Sequence, residues 1–262
     1  MPQLFWEARS KVERAEEHIN DLNRTISEFI DTPNYVAFLE RDVTSSHNLL
    51  KVRATKVLPA RFNFVLGDAI HNLRTSLDYA MNEIELLTVG ERTTYTKFPI
   101  FETAHTFKAA INGGLKEKAP KQVIECIEDF VQPYRRGNGE PLWCLHLLDI
   151  RDKHQLLIAN TELTDVTGIR IKDDRGTEHI LDTWRIIDHR VAGLPVTGTK
   201  NVEITNQGHG TYRVTFNQWL PFGGDEIIPT LHRLAAFIRW TLDEVERAFR
   251  LSQITLHPWN WR

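Results

Sequence analysis

The chain has little sulfur: two cysteines and two methionines in 262 residues. Two thiols, Cys126 and Cys144, cannot supply a disulfide framework or a four-thiolate zinc site. Uncharged apolar runs of about 18 residues are missing, so no membrane-spanning helix is expected. Met1-Pro2-Gln3-Leu4-Phe5-Trp6-Glu7 lacks the basic start and apolar stretch of a secretory leader, so a cytoplasmic protein is expected. A charge excess is missing too. Lys and Arg number 32 against 35 Asp and Glu, a net charge of −3, which excludes a strongly basic nucleic-acid coat. Gly-x-Ser-x-Gly, Gly-x-Gly-x-x-Gly, Gly-x-x-x-x-Gly-Lys-[Ser/Thr] and His-Glu-x-x-His are all absent, which removes the usual nucleophile elbow, nucleotide loops and zinc-protease helix.

What remains is an ordinary globular composition, 41% apolar and 26% charged, long enough to bury a core. Residues 4–30 read as one helix with a heptad-like seam at Ala8, Val12, Ala15, Ile19, Leu22, Ile26 and Phe29. The seam suits packing in a bundle, or a homodimer through helix 4–30. Residues 35–55 predict a β-hairpin turning at 42–48. A helix over 60–87 follows Pro59, with the stripe Leu66, Ala69, Ile70, Leu73, Leu77, Ala80, Met81 and Ile84. Phe98-Pro99-Ile100-Phe101 is extended. A short helix near 104–111 ends at Asn112-Gly113-Gly114, and another opens at Pro120 with Val123, Ile127 and Phe130 inward. Pro141 starts a helix over 141–159.

From residue 160 the period changes to two, at Ile169/Ile171, Trp184/Ile186, Val202/Ile204 and Tyr212/Val214/Phe216. Turn signals fall at Asp173-Asp174-Arg175-Gly176, Gly193, Gly198 and Gly208. A β-meander over 160–218 is expected, then a closing helix over about 225–252 with Ile228, Leu231, Leu234, Ile238, Leu242, Val245 and Phe249 inward. The expected fold is α+β: one domain over 1–262, mainly a helical bundle, with an N-terminal β-hairpin and a β-meander before the last helix.

The candidate site lies on the two helices 60–87 and 141–159. The second is apolar on every side, which predicts burial, yet it carries His146, Asp149 and Lys153 on one face, with Asp152 and His154 flanking. Unpaired charges cost several kcal/mol each to bury. They are therefore expected to pair, to meet a neighbouring helix, or to line a wet pocket. Asp149 and Lys153 stand in the favourable i, i+4 order. On the first helix His71, Arg74, Asp78 and Asn82 form a stripe beside the apolar face. Arg74 can reach Asp78 at i+4, or fork onto Asp149 or Asp152 across the interface.

Histidine tuned by a carboxylate suits acid–base work near neutral pH. Arg74 and Lys153 suit a developing phosphate anion. Such a set needs no cofactor. A metal site from His71, His146, His154 and one aspartate is the alternative chemistry. Lys116, Lys118, Lys121, Arg135 and Arg136 are either a basic patch or a solvated surface. Trp259 and Trp261 either anchor a partner or dock on the chain itself.

Three segments in order carry a resemblance. Leu66-Gly67-Asp68-Ala69-Ile70-His71-Asn72-Leu73-Arg74-Thr75-Ser76-Leu77-Asp78, then Phe98-Pro99-Ile100-Phe101, then Leu142 to His154 with Asp149-Ile150-Arg151-Asp152-Lys153-His154, are similar to a group of uncharacterised bacterial proteins. The likeness covers about residues 1–160 and implies no activity. The helical part also resembles, distantly, the HEPN domains, helical bundles that often act as metal-independent RNases in toxin and phage-defence systems. Their motif is Arg, a polar residue, four to six residues, then His on a helix. Arg41-Asp42-Val43-Thr44-Ser45-Ser46-His47 has that spacing but sits in a predicted hairpin turn, where no active-site role is expected. Arg151-Asp152-Lys153-His154 sits on a helix but is too closely spaced.

The expected function is metal-independent RNA cleavage at His71, Arg74, Asp78, His146, Asp149, Asp152, Lys153 and His154. His71 or His154 would be the base, Arg74 and Lys153 the phosphate clamps, and the aspartates their orienters. The alternative is a non-enzymatic binding or assembly protein, in which the same residues form a buried network and helix 4–30 makes the homodimer.

Overall fold

The first helix, α1 (Trp6–Ile30), buries the seam that the sequence marks: Ala8, Val12, Ala15, Ile19 and Leu22 are 0–1% exposed. The computed structural model describes residues 4–42, 48–91, 96–186, 194–196 and 201–256. The turn at 43–47, with the histidine of the Arg41–His47 spacing, lies outside them, as do Gly193, Gly198, Trp259 and Trp261. Within one copy of the chain these five seam positions are already covered, and the homodimer expected through helix 4–30 gains no support from them. Ion pairs hold the last helix, α7 (Ile227–Leu256), beside α1. Arg9 donates to Asp243 (2.7 Å) and Glu246 (2.8 Å), and Arg239 forks onto Glu16.

The remaining elements run β1 (Tyr35–Arg41), β2 (Asn48–Ala54), α2 (Ala60–Val89), α3 (Ala104–Ala110), the single turn α4 (Lys116–Lys118), α5 (Lys121–Glu125), α6 (Glu140–His154), β3 (Ala159–Lys172), β4 (Glu178–Arg185), β5 (Leu194–Val196), β6 (Glu203–Asn206) and β7 (His209–Phe216). The fold is α+β, with a hairpin early and strands before the last helix. Among the described residues no helix is long and apolar enough to cross a membrane.

Contacts divide the chain into two compact units. The first takes in α1 to Asn23, Arg61–Ile158 and the chain from Phe216 on. The second takes in Arg24–Ala60 and Ala159–Thr215. The sequence reads as one domain with the hairpin in its helical part, whereas the hairpin belongs with the later strands. β1 and β2 pair antiparallel from Tyr35↔Ala54 to Arg41↔Asn48, and β5 adds to β2 through Asn48↔Val196. Ala37, Leu50 and Val52 share a core with Val166, Ile169 and Ile171.

The strands after residue 160 are not a simple meander. β3 is the centre of its sheet and pairs β4, β6 and β7. Gly208 (φ +75°) allows the turn into β7, and a Cβ there would lie 2.4 Å from the Thr167 carbonyl oxygen. Only glycine fits such a close approach at positive φ.

In the first unit the α2 stripe is buried throughout, Leu66 to Ile84 at 0–1% exposed. Each such Leu or Ile contributes about 1.5–3 kcal/mol of burial. Two features depart from the helical period. After α5 the chain widens into a π-helical turn over Cys126–Val131, closed by Gln132 in the left-handed region (φ 49°). The extra residue per turn moves the inward position from Phe130, which is 65% exposed, to Val131, which is fully buried. α6 ends at His154 rather than 159, because Gln155 turns extended (φ −150°, ψ 130°). Leu157 is then buried from an extended segment.

Candidate functional site: a polar helix interface beside a cleft

α6 is buried on one side only. Leu142, Leu145, Leu148 and Asp149 face inward, while Ile150 is 41% exposed. Helical geometry places Asp149 about 40° from Leu145, inside that face, and His154 about 180° from Leu145, opposite it. The structure follows this. Asp149 is 3% exposed. His154 is exposed, on the side of α6 opposite Leu145.

α2 and α6 approach closely at Gly67, where a Cβ would lie 2.3 Å from an Asp152 carboxylate oxygen. Burial first, then repulsion from Asp149 and Asp68, pushes the Asp152 carboxyl above its ordinary range. Asp152 thus packs against α2 and accepts no bond from Arg74; the Leu157 amide donates to it.

The other predicted residues form two linked groups. In one, Asp149 accepts from His71 Nδ1 (2.8 Å) and from Lys153 Nζ (2.5 Å). A carboxylate only accepts, so Nδ1 carries the hydrogen; in the neutral ring Nε2 is then an acceptor. The His71 side chain is 49% exposed above a carboxylate that is 4% exposed. In the other group, Arg74 is 5% exposed and donates three ways: Nη1 to Asp78 Oδ1 (2.7 Å), Nε to His146 Nδ1 (3.3 Å) and Nη2 to the Phe98 carbonyl (3.5 Å). Asp78 Oδ1 also accepts from the Phe98 amide (2.9 Å). Arg74 therefore turns to Asp78 and His146, not to the aspartates of α6 as the spacing also allowed.

Because Arg74 donates to His146 Nδ1, the hydrogen of this ring resides on Nε2. Burial, reinforced by the Arg74 charge, lowers the His146 pKa to about 4. Asp149 and Asp78 raise it and Lys153 lowers it, all by less than burial does. His146 is therefore neutral at pH 7. Its folded pKa lies below the unfolded value of 6.5, so the unfolded chain takes up this proton first as pH falls. The stability contributed by neutral His146 is complete above pH 6.5 and is lost as pH falls through about 4. Relief of Asp152, whose pKa is raised, opposes this at the acid end. Urea midpoints measured across that window are expected to fall. His146→Gln, which keeps an acceptor for Arg74, is expected to flatten the decline; an unchanged decline in that variant contradicts the assignment.

Arg74 and His146 line a cleft of about 470 Å³. All of its lining falls between Arg74 and His146 in sequence, within the first unit. Its walls are Thr96–Phe101 and residues from Ala110 to Lys118. Gly113 and Gly114, where the chain kinks (Gly114 φ 134°), leave open space on one side. Lys118 bonds Thr96 Oγ1 (2.8 Å) and pairs with Glu85 (3.1 Å), itself 2% exposed. Sequence reading missed this wall. Of the supposed basic patch, Lys118 turns into the cleft, Lys116 bonds Asn112, Lys121 pairs Glu125, and Arg135 lies over the Trp143 ring.

Other chemistries find less support. Burial pushes the thiols of Cys126 and Cys144 up to about 11, away from nucleophilic use. Among the described residues no group of three His, Cys, Asp or Glu side chains is placed to hold a metal ion. The His71, His146 and His154 set is therefore not assembled.

No family model, no curated protein and no solved structure matches the chain.

Proposed function

We propose that this chain is a binding protein whose polar α2/α6 interface serves the cleft, where Arg74 and His146 hold a small ligand. One observation carries the reading. The two side chains are hydrogen-bonded to each other, Arg74 is almost wholly buried, and both line a cleft of small-molecule size. A buried guanidinium and a histidine held neutral are costly placements, and such groups in a cleft mark a candidate functional site. Ala110, half-buried on the cleft wall, offers the test. Ala110→Phe fills the cleft without touching the ion pairs. In a thermal-shift screen of small metabolites, the parent protein is expected to be stabilised by at least one class and the variant by none. Equal responses in both proteins contradict the proposal.

Metal-independent RNA cleavage is the second reading, favoured by the half-exposed His71 on buried Asp149 with Lys153 beside it. His71 Nε2 would take the proton of a ribose hydroxyl as that oxygen attacks the adjacent phosphorus. The leaving oxygen would take a proton from water, and Lys153 would face the phosphate. Arg74, turned into the cleft, would have no part, and neither would His154. Purified protein is then expected to cleave single-stranded RNA and His71→Ala to lose that activity. Equal cleavage by both rejects this reading. A homodimer is part of neither.

A further inference from the structure

The cleft has a charge of its own. The charged side chains that line it, Arg74, Lys97 and Lys118, are all cations, and the neutral His146 lies among them. Among the described residues no carboxylate lines it. The counter-charges stand behind the wall, Asp78 on Arg74 and Glu85 on Lys118. Among the described residues this pairing leaves the exposed Lys97 as the uncompensated charge. With His146 neutral, Lys97 leaves the described lining and its described counter-charges with one positive charge in excess. A monoanion balances it, while a dianion such as a phosphate monoester would leave a buried charge unpaired.

Donor geometry points the same way. A guanidinium has five N–H donors, and the bonds to Asp78, His146 and the Phe98 carbonyl use three of them. The planar fork keeps donors for a carboxylate. His146 Nε2–H is a further donor on the same lining. Apart from Thr96, whose Oγ1 accepts from Lys118, the remaining lining side chains are apolar, with Phe98, Pro99, Ile100, Phe101 and Leu115 along the walls. These walls have little to offer a sugar or another polyhydroxylated body.

Resting on the binding-protein reading above, we propose that the cleft takes an organic monocarboxylate with an apolar body of about one ring. The carboxylate meets Arg74 and the His146 Nε2–H, Lys97 faces it from the rim, and the apolar body lies against Phe98–Phe101.

Four probes separate the possibilities by isothermal titration on the full chain. Hydrocinnamate is the acid, phenylpropanol its neutral analogue, phenylpropylamine its cation and inorganic phosphate the bare anion. Hydrocinnamate is expected to bind, the alcohol at least tenfold more weakly, the amine and phosphate not measurably. Lys97→Ala, at an exposed position, is expected to weaken the acid several-fold and leave the alcohol unchanged. Ala110→Phe is expected to abolish binding. If the alcohol or amine matches the acid and Ala110→Phe still abolishes binding, the cleft is a site but the monoanion assignment is overturned. Tighter binding of phosphate than of hydrocinnamate overturns it equally. If the acid binds Ala110→Phe as well as the parent, or if none of the four binds up to millimolar concentration, the carboxylate assignment fails. In the first of these cases the cleft fails with it.

Discussion

Asp78→Ala is expected to destabilise the chain by about 3 kcal/mol or more, the range seen when one partner of a buried ion pair is removed. Asp78 Oδ1 accepts from Arg74 Nη1 and from the Phe98 amide. One carboxylate thus neutralises a guanidinium that is 5% exposed and fastens the extended wall to α2. Alanine leaves the guanidinium buried with two weaker acceptors, His146 Nδ1 and the Phe98 carbonyl, and leaves the Phe98 N–H without its acceptor. Urea denaturation reads the loss as a lower midpoint. Glu28→Ala is the control. It breaks an exposed pair with Arg24 at 3.9 Å and is expected to move stability by less than about 0.5 kcal/mol. Equal effects from both variants would mean that the Asp78 pair is not buried as described.

The second large effect separates structure from binding. In Arg74→Met/Asp78→Asn the charges leave together. The Asn amide oxygen can still accept from the Phe98 N–H, and Met fills much of the arginine volume. Replacing a buried ion pair as a unit is often neutral or stabilising. The double variant is therefore expected to recover most of the stability that Asp78→Ala loses. Its affinity for hydrocinnamate is expected to fall at least tenfold, because the fork that meets the carboxylate is gone. If affinity persists in a well-folded double variant, Arg74 is a structural residue and the cleft binds by its walls alone.

These expectations rest on features of unequal visibility. The seam of α1 and the stripe of α2 can be read from spacing alone, since a long amphipathic helix repeats its signal over several turns. The Arg74–Asp78 and Asp149–Lys153 pairs are legible for the same reason, both lying within one helix at i, i+4. The contacts between helices are not. His71 with Asp149 and Arg74 with His146 depend on the close approach at Gly67, which places α6 against α2 at a register that no periodicity encodes. Phe130 was misplaced because a π-helical turn breaks the period without a composition signal. The end of α6 was misplaced because Leu156, Leu157 and Ile158 suit a helix or an extended segment equally. The cleft wall was invisible for a further reason. Phe98–Phe101 reads only as an extended segment and Gly113-Gly114 only as a helix stop, and nothing in either pattern brings the two together. Glu85, buried against Lys118, carries the one hint, an acid seven residues after Asp78 that continues the polar stripe of Arg74 and Asp78.

Nitrogen NMR of the His146 ring and the Arg74 guanidinium, followed while hydrocinnamate is added, tests the central claim most directly. The free protein at pH 7 is expected to show an unprotonated Nδ1 and a protonated Nε2 on His146. Both the His146 Nε2 and the Arg74 signals should then move with saturating, identical ligand dependence. A His146 that is protonated on both nitrogens at pH 7, or resonances of both residues that stay fixed while the acid binds, would contradict a neutral histidine and a buried arginine serving a ligand cleft.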